Sequence, residues 1–103
     1  MNQEILEKIT ALKRQIIPND RLILFGSQAR GDAREDSDWD LLMVLDKEKI
    51  TYDDSNDYAY PFYLLGIDYN TYLSVKLYSN KEWERKRITP FYKNVNRDGI
   101  FIN

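Results

Sequence analysis

The stretch 22–46, LILFGSQARGDAREDSDWDLLMVLD, decides how the rest of the chain is read. An apolar run, Leu22–Phe25, stops at Gly26-Ser27, and after a polar stretch Ser37-Asp38-Trp39-Asp40 opens a second run, Leu41–Leu45. Short apolar runs bounded by turn residues are the pattern of strands covered on both faces. Ser37 begins the second strand on this reading, and period-two alternation puts Asp38 and Asp40 on one face and Trp39 and Leu41 on the other. Between the strands, Gln28–Arg34 predicts a short helix with Ser27 as its N-cap and Gly31 limiting its length. The outcome is a glycine-serine corner beside two acids, a place to hold a metal-bound phosphate. Hard cations such as Mg²⁺ take carboxylate oxygen together with substrate phosphate. Gly26 lets backbone come close to a ligand, Ser27 offers a hydroxyl, and the helical turn points free amides at an anion. Arg30, one turn on, is placed for the same phosphate or for pairing with Asp32, Glu35 or Asp36 in the connecting loop.

Upstream, residues 2–17 read as a helix, with Ile5, Leu6, Ile9, Leu12 and Ile16 on one face at the 3.6-residue period. Glu4 and Glu7 near its start and Lys13 and Arg14 near its end follow the order the helix dipole prefers, and Pro18 terminates it. Downstream, 51–69 predicts a helix capped by Asp53 or Ser55, carrying Tyr58, Phe62 and Leu65 on one face. Pro61 demands a kink or an early-helix position there, and Gly66 is the expected end. Thr71–Tyr78 reads as a third strand with Leu73, Val75 and Leu77 inward and Tyr72, Ser74, Lys76 and Tyr78 on the other face. Ser79-Asn80 then caps a helix from Lys81, Pro90 interrupts it, Phe91–Arg97 forms a short helix, and Ile100–Asn103 is a tail. Trp39 and Trp83 are assigned to the core, and the tyrosines of 52–72 to core and partner surface.

Composition narrows the chemistry. The 103 residues are expected to form one domain, 1–103, with 43% hydrophobic and 31% charged residues. A net charge of -2 gives no basic field for a long nucleic acid. Cysteine and histidine are both absent, which excludes disulfides, zinc-thiolate sites, thiol nucleophiles and the commonest general base. The longest apolar run falls far short of the ~20 residues of a membrane span. The start, MNQEILEK, lacks the basic-then-apolar pattern of a signal, so a cytoplasmic location is expected.

Gly26-Ser27-Gln28-Ala29-Arg30-Gly31 followed by Ser37-Asp38-Trp39-Asp40-Leu41 resembles the signature of minimal nucleotidyltransferases of the DNA polymerase β superfamily, G-S-x-A-R-G then S-D-x-D-L. The resemblance implies an α/β (α+β) fold, a mixed sheet flanked by helices with an α-β-α-β-α-β core. It implies that Gly26, Ser27 and Arg30 hold a nucleoside triphosphate, ATP first among them. It also implies that Asp38 and Asp40 bind Mg²⁺ and activate an acceptor hydroxyl for attack on the α-phosphate. Small members of this group are often encoded beside a HEPN-domain toxin, and some transfer AMP to it, so a HEPN-type protein partner is implied. The chain departs from the family pattern at one place. A third carboxylate is expected on the next strand, where the open face offers Tyr72, Ser74 and Lys76; Asp68 has the right parity only if that strand starts early. A lysine there repels a second metal. A catalytically impaired, antitoxin-like binding module is the alternative that this departure favours.

Overall fold

The two faces of one strand organise residues 1–103, described here by a computed structural model. That strand is β2, Trp39–Leu45, buried along its length except at half-buried Asp40. Its odd-numbered side chains, Trp39, Leu41, Met43 and Leu45, enter a core of twelve buried residues. Leu42 and Val44 point the other way, into a second cluster with Ile23, Trp83 and Val95. Apolar runs without alternation are what a strand needs when both faces are covered.

The neighbours of β2 follow from the same register. β1, Arg21–Phe25, pairs with it antiparallel, Phe25 opposite Asp40. β3, Leu73–Ser79, pairs on the other side in parallel, from Trp39 opposite Leu73 to Leu45 opposite Ser79. With β4, Ile100–Phe101, on the far side of β1, the sheet order is β3-β2-β1-β4. Helix α1, Gln3–Ile16, lays Ile5 and Ile9 on the larger core, its first turn capped by the Asn2 side chain accepting from Ile5 N at 3.1 Å. Its Lys13 is buried and donates to Pro18 O at 3.0 Å, fixing the chain reversal into β1. The short α2, Gly26–Arg30, joins β1 to the loop before β2. A longer helical stretch follows β2 in three parts: α3, Tyr52–Asp54, a π-helical turn Ser55–Ala59, and α4, Tyr60–Asp68, which buries Phe62 in the larger core. The second face is covered by α5, Asn80–Arg85, and α6, Pro90–Asp98, through Trp83 and Val95. The expected mixed sheet flanked by helices, with its α-β-α-β-α-β core, is therefore present.

Several boundaries depart from the sequence-based expectation, each for a local reason. Helix α2 begins at Gly26 and ends at Arg30, so Ser27 lies inside its first turn and is not the N-cap; Phe25 holds that position without a side-chain bond. Ser37 does not open β2, because its Oγ accepts from Arg34 N at 2.8 Å and closes the loop instead. Thr51, not Asp53 or Ser55, caps the helix after β2: Asp54 accepts from Thr51 N at 2.8 Å in a capping box and from Lys47 Nζ at 2.8 Å. Pro61 sits in the first turn of α4, directly after the wide turn in which Tyr60 N bonds to Ser55 O. Gly66 lies within α4 rather than ending it; a side chain there would meet Thr71 O at 2.7 Å, so it is the point of close approach between α4 and the entry to β3. Helix α5 starts one residue before Lys81, at Asn80, on the expected Ser79 cap. The supposed tail after Gly99 is β4, whose ladder continues as Ile102 N donates to Leu22 O at 2.8 Å. It satisfies the otherwise open edge of β1.

Candidate nucleotide site at the β1–β2 corner

Pairing of Phe25 with Asp40 forces the next residue, Gly26, against the Asp40 side chain. Gly26 turns the chain out of β1 with φ 73°, in the left-handed region, and starts α2 there. A β-carbon on Gly26 would overlap Asp40 Oδ2 and stand 3.2 Å from its Cγ. Only glycine satisfies both the backbone angle and the contact. The glycine-serine corner and the second acid thus meet at one place.

Asp38, exposed, precedes β2 by one residue and shares the parity of Asp40. Burial pushes the Asp40 carboxyl above the ordinary aspartate range, and the negative charge of Asp38 pushes it further. Lys76 and Arg30 pull it the other way. Neither acid is in an ion pair with a lysine or arginine. Two neighbouring carboxylates without a counter-ion, one of them partly desolvated, form a donor set that suits one hard divalent cation. No third His, Cys, Asp or Glu completes a cluster, so any further ligands to such an ion come from substrate oxygens and water.

Arg30 ends α2 on the surface, its Nε 3.4 Å from Asp32 Oδ2, while its charge still reaches Asp40. It serves the loop and faces the site at once. Asp68 is not on an early β3. It lies exposed in the last turn of α4, separated from Leu73 by a turn in which Asn70 takes φ 53°. The helix runs on through Gly66 and takes the residues that an early strand would need. On β3 the positions facing the site are Ser74, opposite Asp40, and Lys76, opposite Leu42.

Gln28 is a contributor that sequence reasoning passed over. It is buried in α2 and its Nε2 donates to Ser37 O at 3.3 Å, tying the glycine corner to the residue just ahead of Asp38. A polar residue in a five-residue helix carries no periodic signal that marks it for burial. A cavity of about 690 Å³ opens at this same end of the sheet, but on the Trp39 face; Met1, Gln28, Arg34 and Tyr69 line it and neither acid does. No helix of the chain is long and apolar enough to cross a membrane.

Known structures share this fold. A chain of a toxin-antitoxin complex with AMP-PNP is 21% identical and superposes with a TM-score of 0.62, over 95% of this chain and 72% of that one. A chain of the complex between tri-AMPylated Shewanella oneidensis HEPN toxin and MNT antitoxin is 20% identical, with a TM-score of 0.58 over 100% of this chain and 72% of that one. A Sulfolobus solfataricus protein assigned as a nucleotidyltransferase is 20% identical, with a TM-score of 0.53 over 96% and 83% of the two chains. At such identities the likeness is one of fold. No curated protein sequence matches the chain. Residues 4–97 match the profile of the nucleotidyltransferase domain, and that span includes the whole Gly26–Asp40 corner. The chain belongs to the nucleotidyltransferase domain family.

Proposed function

We propose that the chain is a Mg²⁺-dependent nucleotidyltransferase that moves a nucleoside monophosphate, AMP from ATP, to a hydroxyl on a HEPN-type partner protein. The observation that supports the reading is the close approach of Gly26 to the Asp40 carboxylate, which brings the glycine-serine corner and an acid together. Asp38 and Asp40 would hold the ion. When bound, Mg²⁺ neutralises phosphate oxygens and lowers the cost of charge developing on them. Gly26 and Ser27 hold the triphosphate close to the backbone, and Arg30 offers a further positive charge at its edge. The acceptor oxygen forms the new bond to the α-phosphorus, the bond from that phosphorus to the α–β bridging oxygen breaks, and pyrophosphate leaves. The hydroxyl proton passes to water at this exposed end of the sheet. Neighbouring folds include chains of toxin-antitoxin complexes, one with AMP-PNP and one with a tri-AMPylated HEPN toxin, which supports the choice of partner and group.

The test is incubation of the purified protein with α-labelled ATP, Mg²⁺ and the products of its neighbouring genes, a HEPN protein being the expected acceptor. Label should appear in the HEPN protein and vanish with Asp38→Asn or Asp40→Asn. Absence of label with any of the four common nucleoside triphosphates would overturn transfer. A second reading is favoured by Ser74 and Lys76 standing where an acid is expected, together with exposed Tyr60, Tyr63 and Tyr72 stacked edge to face at 5.9 and 6.1 Å. On that reading the chain neutralises its partner by contact alone. The two would then co-purify, and Asp38→Asn would leave neutralisation intact.

A further inference from the structure

Lys76 is an unpaired cation on the face of the sheet that carries the acids. The parallel register sets Ser74 opposite Asp40 and Lys76 opposite Leu42, so Lys76 is the diagonal neighbour of Asp40 on the same face. Diagonal neighbours on one face of paired strands are within reach of a long side chain. Lys76 is exposed and makes no ion pair within 4.0 Å, whereas Arg30, the other cation felt by Asp40, is shared with Asp32. One step further along β3, Tyr78 packs against Trp83 with ring centroids 5.6 Å apart, so the cover of α5 begins immediately beyond the lysine. Lys76 therefore stands at the boundary between the open site and the covered half of the face. It lies on the β3 flank of Asp40, and Gly26 lies on the β1 flank.

This layout gives a charge argument. A nucleoside triphosphate and two aspartates together bring several negative charges, and one divalent ion leaves most of them uncompensated. We infer that Lys76 supplies the missing positive charge by holding the α-phosphate of the nucleotide, from the side opposite the Gly26-Ser27 cradle. The inference rests on reading Asp38 and Asp40 as the nucleotide site. It adds that this site works with one ion and one ammonium group. A plain alternative is that Lys76 only protects the exposed edge strand from pairing with another chain.

Equilibrium binding separates these without reference to turnover. ATP and AMP are titrated into the protein by NMR, once in EDTA and once with Mg²⁺, for wild type, Lys76→Met, Lys76→Arg and Asp38→Asn. Lys76→Met should weaken both ATP and AMP in EDTA by roughly ten- to a hundredfold, the weight of a charge-assisted hydrogen bond, and Lys76→Arg should restore most of the loss. Asp38→Asn should strengthen ATP binding in EDTA by removing a repulsion and weaken it in Mg²⁺ by removing a ligand. If Asp38→Asn shows that crossover while Lys76→Met binds like wild type, the role of Lys76 is overturned and the site stands. A Lys76→Met loss confined to ATP would also overturn the inference, because the lysine would then hold the phosphate tail. If Asp38→Asn changes nothing, or wild type binds neither nucleotide, the reading of the site itself falls and this inference with it. Lys76 is exposed, so thermal melting should show each Lys76 variant folded as wild type.

Discussion

Gly26→Ala and Gly31→Ala form a matched pair that isolates the contact at the centre of the site. Both glycines have left-handed backbone, φ 73° and 82°. A β-carbon at Gly31 meets nothing within 4 Å, whereas one at Gly26 collides with the Asp40 carboxylate. Left-handed backbone costs an L-residue roughly 1–2 kcal/mol, offset in part by about 0.4–1 kcal/mol from a stiffer unfolded chain. Gly31→Ala should therefore lose about 1 kcal/mol. Gly26→Ala carries the same strain, and displacing Asp40 inside the β1–β2 pair adds about 1–3 kcal/mol, as overpacking does elsewhere. For a domain of this size each kcal/mol lowers Tm by about 4–8 °C. Urea unfolding measures both losses, and repeating them in an Asp40→Ala background completes a double-mutant cycle. The excess cost of Gly26→Ala should vanish in that background, a coupling of at least about 1 kcal/mol. Equal losses at the two glycines, or an excess that survives the removal of Asp40, would refute the claim that glycine and acid touch.

The raised Asp40 carboxyl means that the folded chain binds this proton more readily than the unfolded one. Stability should then fall as pH rises from the ordinary value of 3.8 through the raised folded value, and Asp40→Asn should be the more stable protein at neutral pH, with its advantage fading in acid. Mg²⁺ should reverse this, raising the urea midpoint of wild type and leaving Asp40→Asn unmoved. Asp54 has the opposite sign: the hydrogen bond from Lys47, foremost, holds its carboxyl low, so its contribution is full at neutral pH and lost as pH falls through the lowered value. Asp54→Ala should cost about 1–2 kcal/mol in urea, since it removes both the cap of α3 and the Lys47 bond. Trp83→Ala should cost about 3–5 kcal/mol, because Trp83 joins Tyr78, Phe91 and Tyr92, with ring centroids 4.7–5.7 Å away, to the smaller core.

What could be read from the sequence was governed by how local its cause is. Asp40, the strands around it and the parity of Trp39 depend on alternation over a few residues, and the structure has them so placed, whereas Asp38 falls one residue ahead of β2 because Ser37 closes the loop instead of opening the strand. The cap at Thr51 was hidden by neighbours of equal propensity, since Asp53 and Ser55 are as good N-caps in isolation. What decided it was Lys47, several residues upstream, which joins the same Asp54 carboxylate. β4 spans two residues, too short for any period, and exists because β1 has an edge to fill. Asp68 had the right parity for β3, but α4 extends through it because Gly66 packs against the strand entry instead of breaking the helix. Gly26 was legible as a turn beside the two acids, whereas which of them it touches became visible only once Phe25 was set opposite Asp40.

The wide turn at Ser55–Ala59 has a bearing on the tyrosine-lined hollow beside it. A π-turn accommodates one residue more than the α-helix around it, without rotating the segments on either side relative to each other. None of its five residues is buried, and Ser55, Asn56 and Ala59 line the hollow together with Tyr60, Tyr63 and Tyr72. Tyr58 of the same turn packs on the larger core, so the turn is anchored on one side and forms a wall of the hollow on the other. Excising a single residue there would let the coil tighten and narrow the hollow while Phe62, seated in the larger core, kept its place, so the width of this surface is set separately from the scaffold beneath.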